Sequence, residues 1–147
     1  DFPVVINARP FNLRRLAIPS NVQVNDLLPA EQYRELNWNA RFVVVPLCDV
    51  DEAVGLTAIL QGMAAGKAVV CSDLPGPAEY VRQGETGMLV PEGDAAALRE
   101  AIIECWKHPA MCREMGRRGR ALYSAQYTFS AFSRRVVDYV HEIGGAG

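Results

Sequence analysis

Short runs of β-branched residues alternate along this chain with longer amphipathic segments. Four of the five runs are almost continuously apolar, which is typical of parallel strands that are buried on both faces. The alternation therefore predicts βα units that form a doubly wound parallel sheet of the α/β class. The predicted strands are residues 4–6, 22–24, 42–45, 68–71 and 88–90.

Helical patterns fill the segments between these strands and continue after them. Residues 30–39, 57–65 and 76–82 are predicted as helices, with Gly or Pro at most of the boundaries. After Pro91, Gly93 and Asp94 resemble a helix N-cap, and further helices are predicted from there until Pro109, at 111–123 and near the end. The last helix carries one apolar stripe, which contains Phe129, Phe132, Val136, Val140 and Ile143.

Length and composition limit the kind of protein. The 147 residues are close to the ~150 of one domain, so we predict a single domain over residues 1–147, with its sheet in 1–93 and the C-terminal helices in 94–143. Hydrophobic residues make up 50% of the chain and charged residues 22%, a balance that excludes a disordered chain. The net charge of -2 argues against nucleic acid as a partner.

Cellular location and redox state are also constrained by the sequence. The longest stretch without a charged residue, 53–66, is shorter than the ~20 apolar residues that span a bilayer. The first residues lack the pattern of a secretory signal, so a cytoplasmic protein is predicted. The cysteines lie in apolar strands and helices and are interpreted as reduced thiols: Cys48, Cys71, Cys105 and Cys112.

The segment from residue 49 to 73 is the most informative about function. An apolar strand ends at Leu47, an acidic loop follows, and Gly55 starts a turn into the next helix. Ligands of open parallel sheets bind beyond the carboxyl ends of the strands, and a helix N-terminus there favours a phosphate. Glu52 and the amide of Gln61 are then placed to hold hydroxyl groups beside the phosphate.

Two segments of this region resemble a known family. GLTAILQGMAAGKAVVCSDLPGPAEYV and GETGMLVPEGDAAALREAI are similar to the carboxyl-terminal half of the family 4 retaining glycosyltransferases, which have the GT-B fold. The resemblance covers about residues 4–140 and reaches the level of motifs between 45 and 94. It implies a Rossmann-like domain that binds a nucleoside-diphosphate sugar, with the sugar transferred with retention and no metal required.

The resemblance also implies a role for each matching residue. Glu52 corresponds to a catalytic glutamate that contacts the transferred sugar. Gly55, Leu56 and Thr57 match the turn whose backbone N–H groups hold the diphosphate, and Gln61 stands where the family has a glutamate that binds the ribose. The spacing from Glu52 to Gln61 is one residue longer than in the family, and Gln61 lacks the charge, so weaker ribose binding or a changed donor preference is expected.

Other parts of the family pattern do not occur in this sequence. The resemblance implies a preceding strand, a Gly-Arg loop with a nearby Lys, a helix and a whole N-terminal domain that supplies the acceptor site. We therefore expect this chain to be part of a longer enzyme and to be inactive alone. Arg9, Arg14 and Arg15 are candidate cations for the diphosphate. The acceptor is expected to be a glycan, a lipid or a small molecule.

Alternatives to this interpretation remain open. Because Gln61 replaces a glutamate, the chain could be a non-catalytic nucleotide-sugar-binding or assembly module, and a nucleotide-sugar epimerase has the same fold. The arginines at 113, 117, 118 and 120 are interpreted as a solvated face, with contact to the cytosolic surface of a membrane as an alternative. The sequence offers no convincing metal site, since Cys105, His108 and Cys112 supply only three ligands.

Overall fold

A computed structural model describes residues 2–9, 13–26, 28–48 and 55–144. In these ranges all five predicted strands are confirmed, and they pair in parallel. The α/β class is therefore confirmed. The elements in chain order are β1 (Val4–Asn7), β2 (Val22–Asn25), α1 (Ala30–Asn39), β3 (Val43–Val45), α2 (Leu56–Ala64), β4 (Val69–Ser72), α3 (Pro75–Ala78), β5 (Gly87–Val90), α4 (Ala95–Lys107), α5 (Pro109–Gln126) and α6 (Phe129–Gly144).

The chain divides into two compact units, Asp1–Leu36 and Asn37–Gly147. In the first unit β1 and β2 form a two-stranded parallel sheet in which Val4 is the register partner of Val22. Asparagine side chains support this sheet at both ends. The Asn21 amide donates to the carbonyl oxygen of Phe2 over 2.9 Å, and the side-chain oxygen of Asn7 accepts from the N–H of Leu28 over 3.2 Å.

The second unit contains a three-stranded parallel sheet in the order β3, β4, β5. Side chains alternate between its two faces, as expected for a period of two residues. On one face Val70 and Val90 pack with Ala101 and Cys105 of α4 and with residues of α5. On the other face Val69 and Cys71 pack with Ile59 of α2 and neighbouring residues. Helices thus cover this sheet on both sides, as its apolar strands predict.

The helices after β4 differ in length from the sequence prediction. Helix α3 ends at Ala78 rather than at Arg82, since the N–H groups of Glu79 and Tyr80 donate to carbonyl oxygens only three residues back, over 3.2 and 3.0 Å. Helix α4 begins after Asp94, whose carboxylate accepts from the N–H of Ala97 over 2.9 Å, which confirms the predicted N-cap. Helix α5 is longer than predicted and starts at Pro109, where a proline fits the first turn.

The last helix, α6, buries only Ala131 fully and exposes its predicted apolar stripe. Phe129 is 85% exposed, and Phe132, Val136, Val140 and Ile143 are also exposed. No helix within the described ranges has both the length and the apolar composition that crossing a bilayer requires.

Candidate functional site

The end of strand β3 is fixed to the end of β4 by a serine side chain. Val45, the last residue of β3, is the register partner of Cys71, and the next residue, Pro46, has no N–H for a sheet hydrogen bond. One residue further, the hydroxyl of Ser72 donates to the carbonyl oxygen of Leu47 over 2.6 Å and accepts from its N–H over 2.8 Å. The chain therefore leaves β3 in a defined position.

Gly55, at the start of helix α2, has a conformation that glycine alone adopts without strain. Its φ is +82°, in the left-handed region. The space around it is also closed to a side chain, because a Cβ at this position would lie 2.5 Å from Cδ2 of Leu47. The sequence-based interpretation of Gly55 as a tight turn into the helix is therefore confirmed.

The first turn of α2 presents backbone N–H groups. The first N–H bonded within the helix is that of Ile59, which donates to the carbonyl oxygen of Gly55 over 3.1 Å. The N–H groups of Leu56, Thr57 and Ala58 precede it and have no partner inside the helix, as at any helix start. These groups and the positive end of the helix dipole make the turn suited to an anion.

The helix start lies at the edge of the sheet where β3 and β4 end. Gly55 lies against Leu47, two residues after β3, and a Cβ on Gly76, shortly after β4, would lie 3.7 Å from Cδ2 of Leu56. Leu56 contributes its side chain to the core and so offers a ligand only its backbone, whereas Thr57 is exposed. Within the described part of this turn, Thr57 is thus the exposed residue at the edge where ligands of such sheets bind.

Gln61 lies on the same face of α2 as Thr57, one turn further along the helix. Its side chain is half-buried. The next residue, Gly62, holds this part of the helix close to the sheet, because a Cβ there would lie 3.1 Å from Val69 and 3.3 Å from Val43. Helical geometry thus sets the spacing between Gln61 and the turn at Gly55, and the close contacts at Gly62 set the distance of this helix from the sheet.

Glu52, the predicted catalytic residue, lies outside the described residues. Lys67, a cation within the motif segment, follows the far end of α2, where its N–H donates to the carbonyl oxygen of Gly62 over 3.0 Å. The helix between Lys67 and the turn at Gly55 is about 14 Å long, and burial lowers the pKa of the Lys67 ammonium group. Lys67 therefore belongs to the C-terminal end of the helix.

Glu79 and the Gly-rich turn before it are tied to helix α5. The hydroxyl of Tyr127 donates to the carbonyl oxygen of Glu79 over 3.1 Å, and the Tyr127 ring lies 5.0 Å from that of Tyr80. This hydrogen bond uses the backbone carbonyl of Glu79, and Glu79 itself is exposed to solvent. This contact indicates a structural role for the backbone at Glu79.

Sequence reasoning did not identify Ser72 as part of the site. The available signal was a polar residue at the end of the apolar run VVCS, directly before Asp73. A hydroxyl that ends a buried strand requires a hydrogen-bond partner, but the sequence does not show that this partner is the backbone of Leu47. That contact depends on the register of two strands separated by a helix.

Comparisons with known proteins identify a family and similar folds. The family model described as Glycosyl transferases group 1 matches residues 6–108. A D-rhamnosyltransferase of Pseudomonas aeruginosa is 37% identical over 52% of this chain and 20% of its own length. The structure of sucrose-phosphate synthase from Thermosynechococcus elongatus superimposes with a TM-score of 0.77 and 25% identity, over 94% of this chain and 34% of that chain.

A further solved structure is that of Anabaena HepE in complex with UDP-glucose. It superimposes with a TM-score of 0.70 and 17% identity, over 90% of this chain and 35% of that chain. At 17% identity, this similarity shows that the two chains share a fold and no more. The chain thus spans a fifth of the rhamnosyltransferase and about a third of the two solved structures.

Proposed function

Because this chain belongs to the family of group 1 glycosyl transferases, we propose that it binds the nucleoside-diphosphate-sugar donor of a retaining glycosyltransferase. The observation that carries the proposal is the turn at residues 55–57, with its left-handed glycine and its N–H groups at the carboxyl edge of the sheet. The complex of Anabaena HepE with UDP-glucose supports a donor of this class.

In this proposal the N–H groups of Gly55, Leu56 and Thr57 hold the diphosphate. When the bond between sugar and diphosphate breaks, negative charge grows on the leaving phosphate. Backbone donors that are fixed before the reaction stabilise such charge without reorganisation, and one donor of this kind typically contributes ~10²–10³ in rate. Close packing of Gly55 on Leu47 keeps these donors in place.

Gln61 and Glu52 complete the proposed site. The Gln61 amide, on the same helix face as Thr57, hydrogen bonds to the ribose hydroxyls, and Glu52 contacts the transferred sugar as the catalytic carboxylate. Retention at the anomeric carbon and independence from a metal ion rest on the resemblance to family 4 of segments 55–81 and 84–102. The acceptor, a glycan, a lipid or a small molecule, is bound by an N-terminal domain of the longer enzyme.

A second candidate is a binding module without catalysis. The observation that favours it is Gln61 itself, because an amide forms weaker hydrogen bonds to hydroxyls than the carboxylate of a glutamate does. Both candidates bind a nucleoside diphosphate at the same turn, and they differ in whether a longer form of the protein transfers sugar.

Amide NMR of the 147-residue chain tests the proposed site. Titration with UDP, GDP and ADP is expected to shift the resonances of residues 55–61 with at least one nucleotide, whereas the matching nucleosides, which lack phosphate, shift them much less. Addition of EDTA is expected to leave the titration unchanged. Absence of shifts in this turn at millimolar nucleotide would contradict the proposal, and loss of binding in EDTA would show that a metal ion is required.

A further inference from the structure

We propose that Ser72 is a positioning residue of the donor site, which holds the diphosphate-binding turn through Leu47. The inference rests on the proposed function, since it concerns the same turn. Ser72 is 3% exposed and is the last residue of β4. It therefore acts through a neighbouring residue, and its effect is on the placement of the N–H groups.

The first link joins Ser72 to Leu47. One hydroxyl bonds to both backbone groups of Leu47, over 2.6 Å to its oxygen and 2.8 Å from its nitrogen. Regular strand pairing between β3 and β4 ends at Val45 and Cys71, and Pro46 supplies no N–H. The serine side chain thus takes over the role of the sheet hydrogen bonds at the point where the chain turns towards the site.

The second link joins Leu47 to Gly55. The Leu47 side chain fills the space beside the Gly55 Cα, since a Cβ there would meet its Cδ2, Cδ1 and Cγ at 2.5, 2.9 and 3.2 Å. Packed interiors contain few voids, so a change in the position of Leu47 is passed to the atoms that touch it. Release of Leu47 from Ser72 is therefore expected to displace Gly55 and the N–H groups that follow.

The chain offers a matched control for Ser72, a buried hydroxyl that lies away from the proposed site. Thr86 is 1% exposed, and its hydroxyl accepts from the N–H of Arg82 over 2.9 Å. It directly precedes β5 and so lies at the amino edge of the sheet, opposite the proposed site. Thr86→Val removes a buried hydroxyl of the same kind, and it is expected to lower stability without changing nucleotide binding.

The experiment compares Ser72→Ala, Ser72→Thr, Leu47→Val and Thr86→Val with the unchanged chain. The first readout is the amide chemical shifts of residues 55–57 without ligand, and the second is the affinity for the best-binding nucleoside diphosphate and for its monophosphate. Ser72→Ala is expected to shift these amides and to weaken diphosphate binding about tenfold, because misplaced binding groups lose much of their effect.

The other variants separate positioning from stability. Ser72→Thr is expected to retain the hydrogen bonds and most of the affinity, and Leu47→Val is expected to reproduce the loss with the hydroxyl present, even if Ser72→Ala unfolds the chain. Thr86→Val is expected to leave the ratio of diphosphate to monophosphate affinity unchanged. Unshifted amides with a diphosphate affinity within about twofold of the unchanged chain, for both Ser72→Ala and Leu47→Val, would overturn the inference.

The two proposals fail in distinguishable ways. If the unchanged chain does not bind any nucleoside diphosphate, the proposed function fails, while the amide shifts of the unliganded variants still show whether Ser72 controls the turn. If the unchanged chain binds and Ser72→Ala and Leu47→Val bind equally well with unshifted amides, the donor site stands and the positioning role of Ser72 is wrong.

Discussion

Gly55 combines two restrictions at one residue. Its left-handed backbone disfavours any L-residue, and the Leu47 side chain occupies the place of a Cβ. These effects have separate physical origins, the first within the residue and the second in the packing of its neighbours. A matched substitution elsewhere in the chain can therefore separate them.

Gly55→Ala is expected to destabilise the chain by more than Gly93→Ala. Gly93 also has a positive φ, of +71°, but a Cβ there meets nothing within 4 Å. Gly93→Ala should therefore cost only the left-handed conformation, about 1–2 kcal/mol, whereas Gly55→Ala adds the clash with Leu47 and weakens nucleoside diphosphate binding. Urea unfolding and nucleotide titration measure the two effects, and equal losses for the two variants would contradict this prediction.

Gln61→Glu is expected to tighten nucleoside diphosphate binding. A carboxylate forms stronger hydrogen bonds to ribose hydroxyls than an amide does, and the gain should be about 1 kcal/mol, or roughly fivefold in affinity. Gln126→Glu, at an exposed position in the last turn of α5, adds the same charge and is the control. Calorimetric titration is the measurement, and an affinity equal to that of the control would count against the ribose role of Gln61.

Residues of the site differ in how well the sequence alone predicts them. The turn at Gly55 is predictable because the glycine, the end of the apolar strand and the start of the helical pattern lie within a few residues. The position of Gln61 on the face of Thr57 follows from helical periodicity. Ser72 is not predictable as a positioning residue, because its partner Leu47 lies 25 residues earlier and the contact depends on tertiary register.

At the scale of elements, helix α5 carries a compact ion-pair network on its exposed face. The carboxylate of Glu114 accepts from Nε and Nη2 of Arg117 over 2.9 and 2.8 Å and from Nε of Arg118 over 2.8 Å. These hydrogen bonds, first from Arg117 and then from Arg118, lower the pKa of Glu114 from 4.5 to about 2. Part of the arginine cluster is thus neutralised within its own helix.

This network makes a testable prediction about pH. Since the folded pKa of Glu114 is below its ordinary value, the stabilisation is present above about pH 4.5 and is lost as the pH falls towards 2. Glu114→Gln should therefore reduce the free energy of unfolding at pH 7 and have a vanishing effect near pH 2. Urea unfolding across this range is the measurement, and a difference that does not depend on pH would disprove the assignment.

The sequence predicts some helices and strands more accurately than others, for physical reasons. The five strands are confirmed because each is a short run rich in β-branched residues, and helix α1 is confirmed at its predicted bounds. Helix α3 is shorter than predicted, because the N–H groups of Glu79 and Tyr80 donate to carbonyl oxygens three residues back, and no local pattern signals this change. The N-cap of α4 at Asp94 is predictable, since capping involves residues only three apart.

At the scale of the whole molecule, the four cysteines differ in their exposure to solvent. Cys48 is exposed, whereas the thiols of Cys71, Cys105 and Cys112 are buried, and all four are free. Burial, and then the charge of Asp73, raises the pKa of Cys71 to about 12. Because the thiolate is the reactive form, both the burial and the raised pKa of Cys71 slow its reaction with thiol reagents in the folded chain.

Alkylation of the cysteines should therefore distinguish the folded chain from the unfolded chain. With iodoacetamide near pH 8, we expect one adduct, at Cys48, in the native chain, and four adducts in urea. Cys48→Ser should take up none until the chain unfolds, which provides the control. Mass spectrometry counts the adducts, and rapid modification of Cys71 in the native chain would contradict the burial of β4.

The apolar stripe of α6 also belongs to this scale. Phe129 and Phe132 are 85% and 56% exposed, although the sequence pattern of the helix is that of a packed one. The chain spans only a fifth to a third of the relatives compared above. We predict that the C-terminal helices pack towards an N-terminal domain of a longer enzyme.

Sequence patterns alone predict the order of strands and helices, the turn at Gly55 and the resemblance to a glycosyltransferase, because each depends on neighbouring residues or on a local period. The contact of Leu47 with Gly55 and the hydrogen bonds of Ser72 to the backbone of Leu47 follow from the tertiary structure. These contacts join residues from separate elements. They exist because the packing of α2 against β3 and β4 brings the ends of two strands and the start of one helix to the same edge.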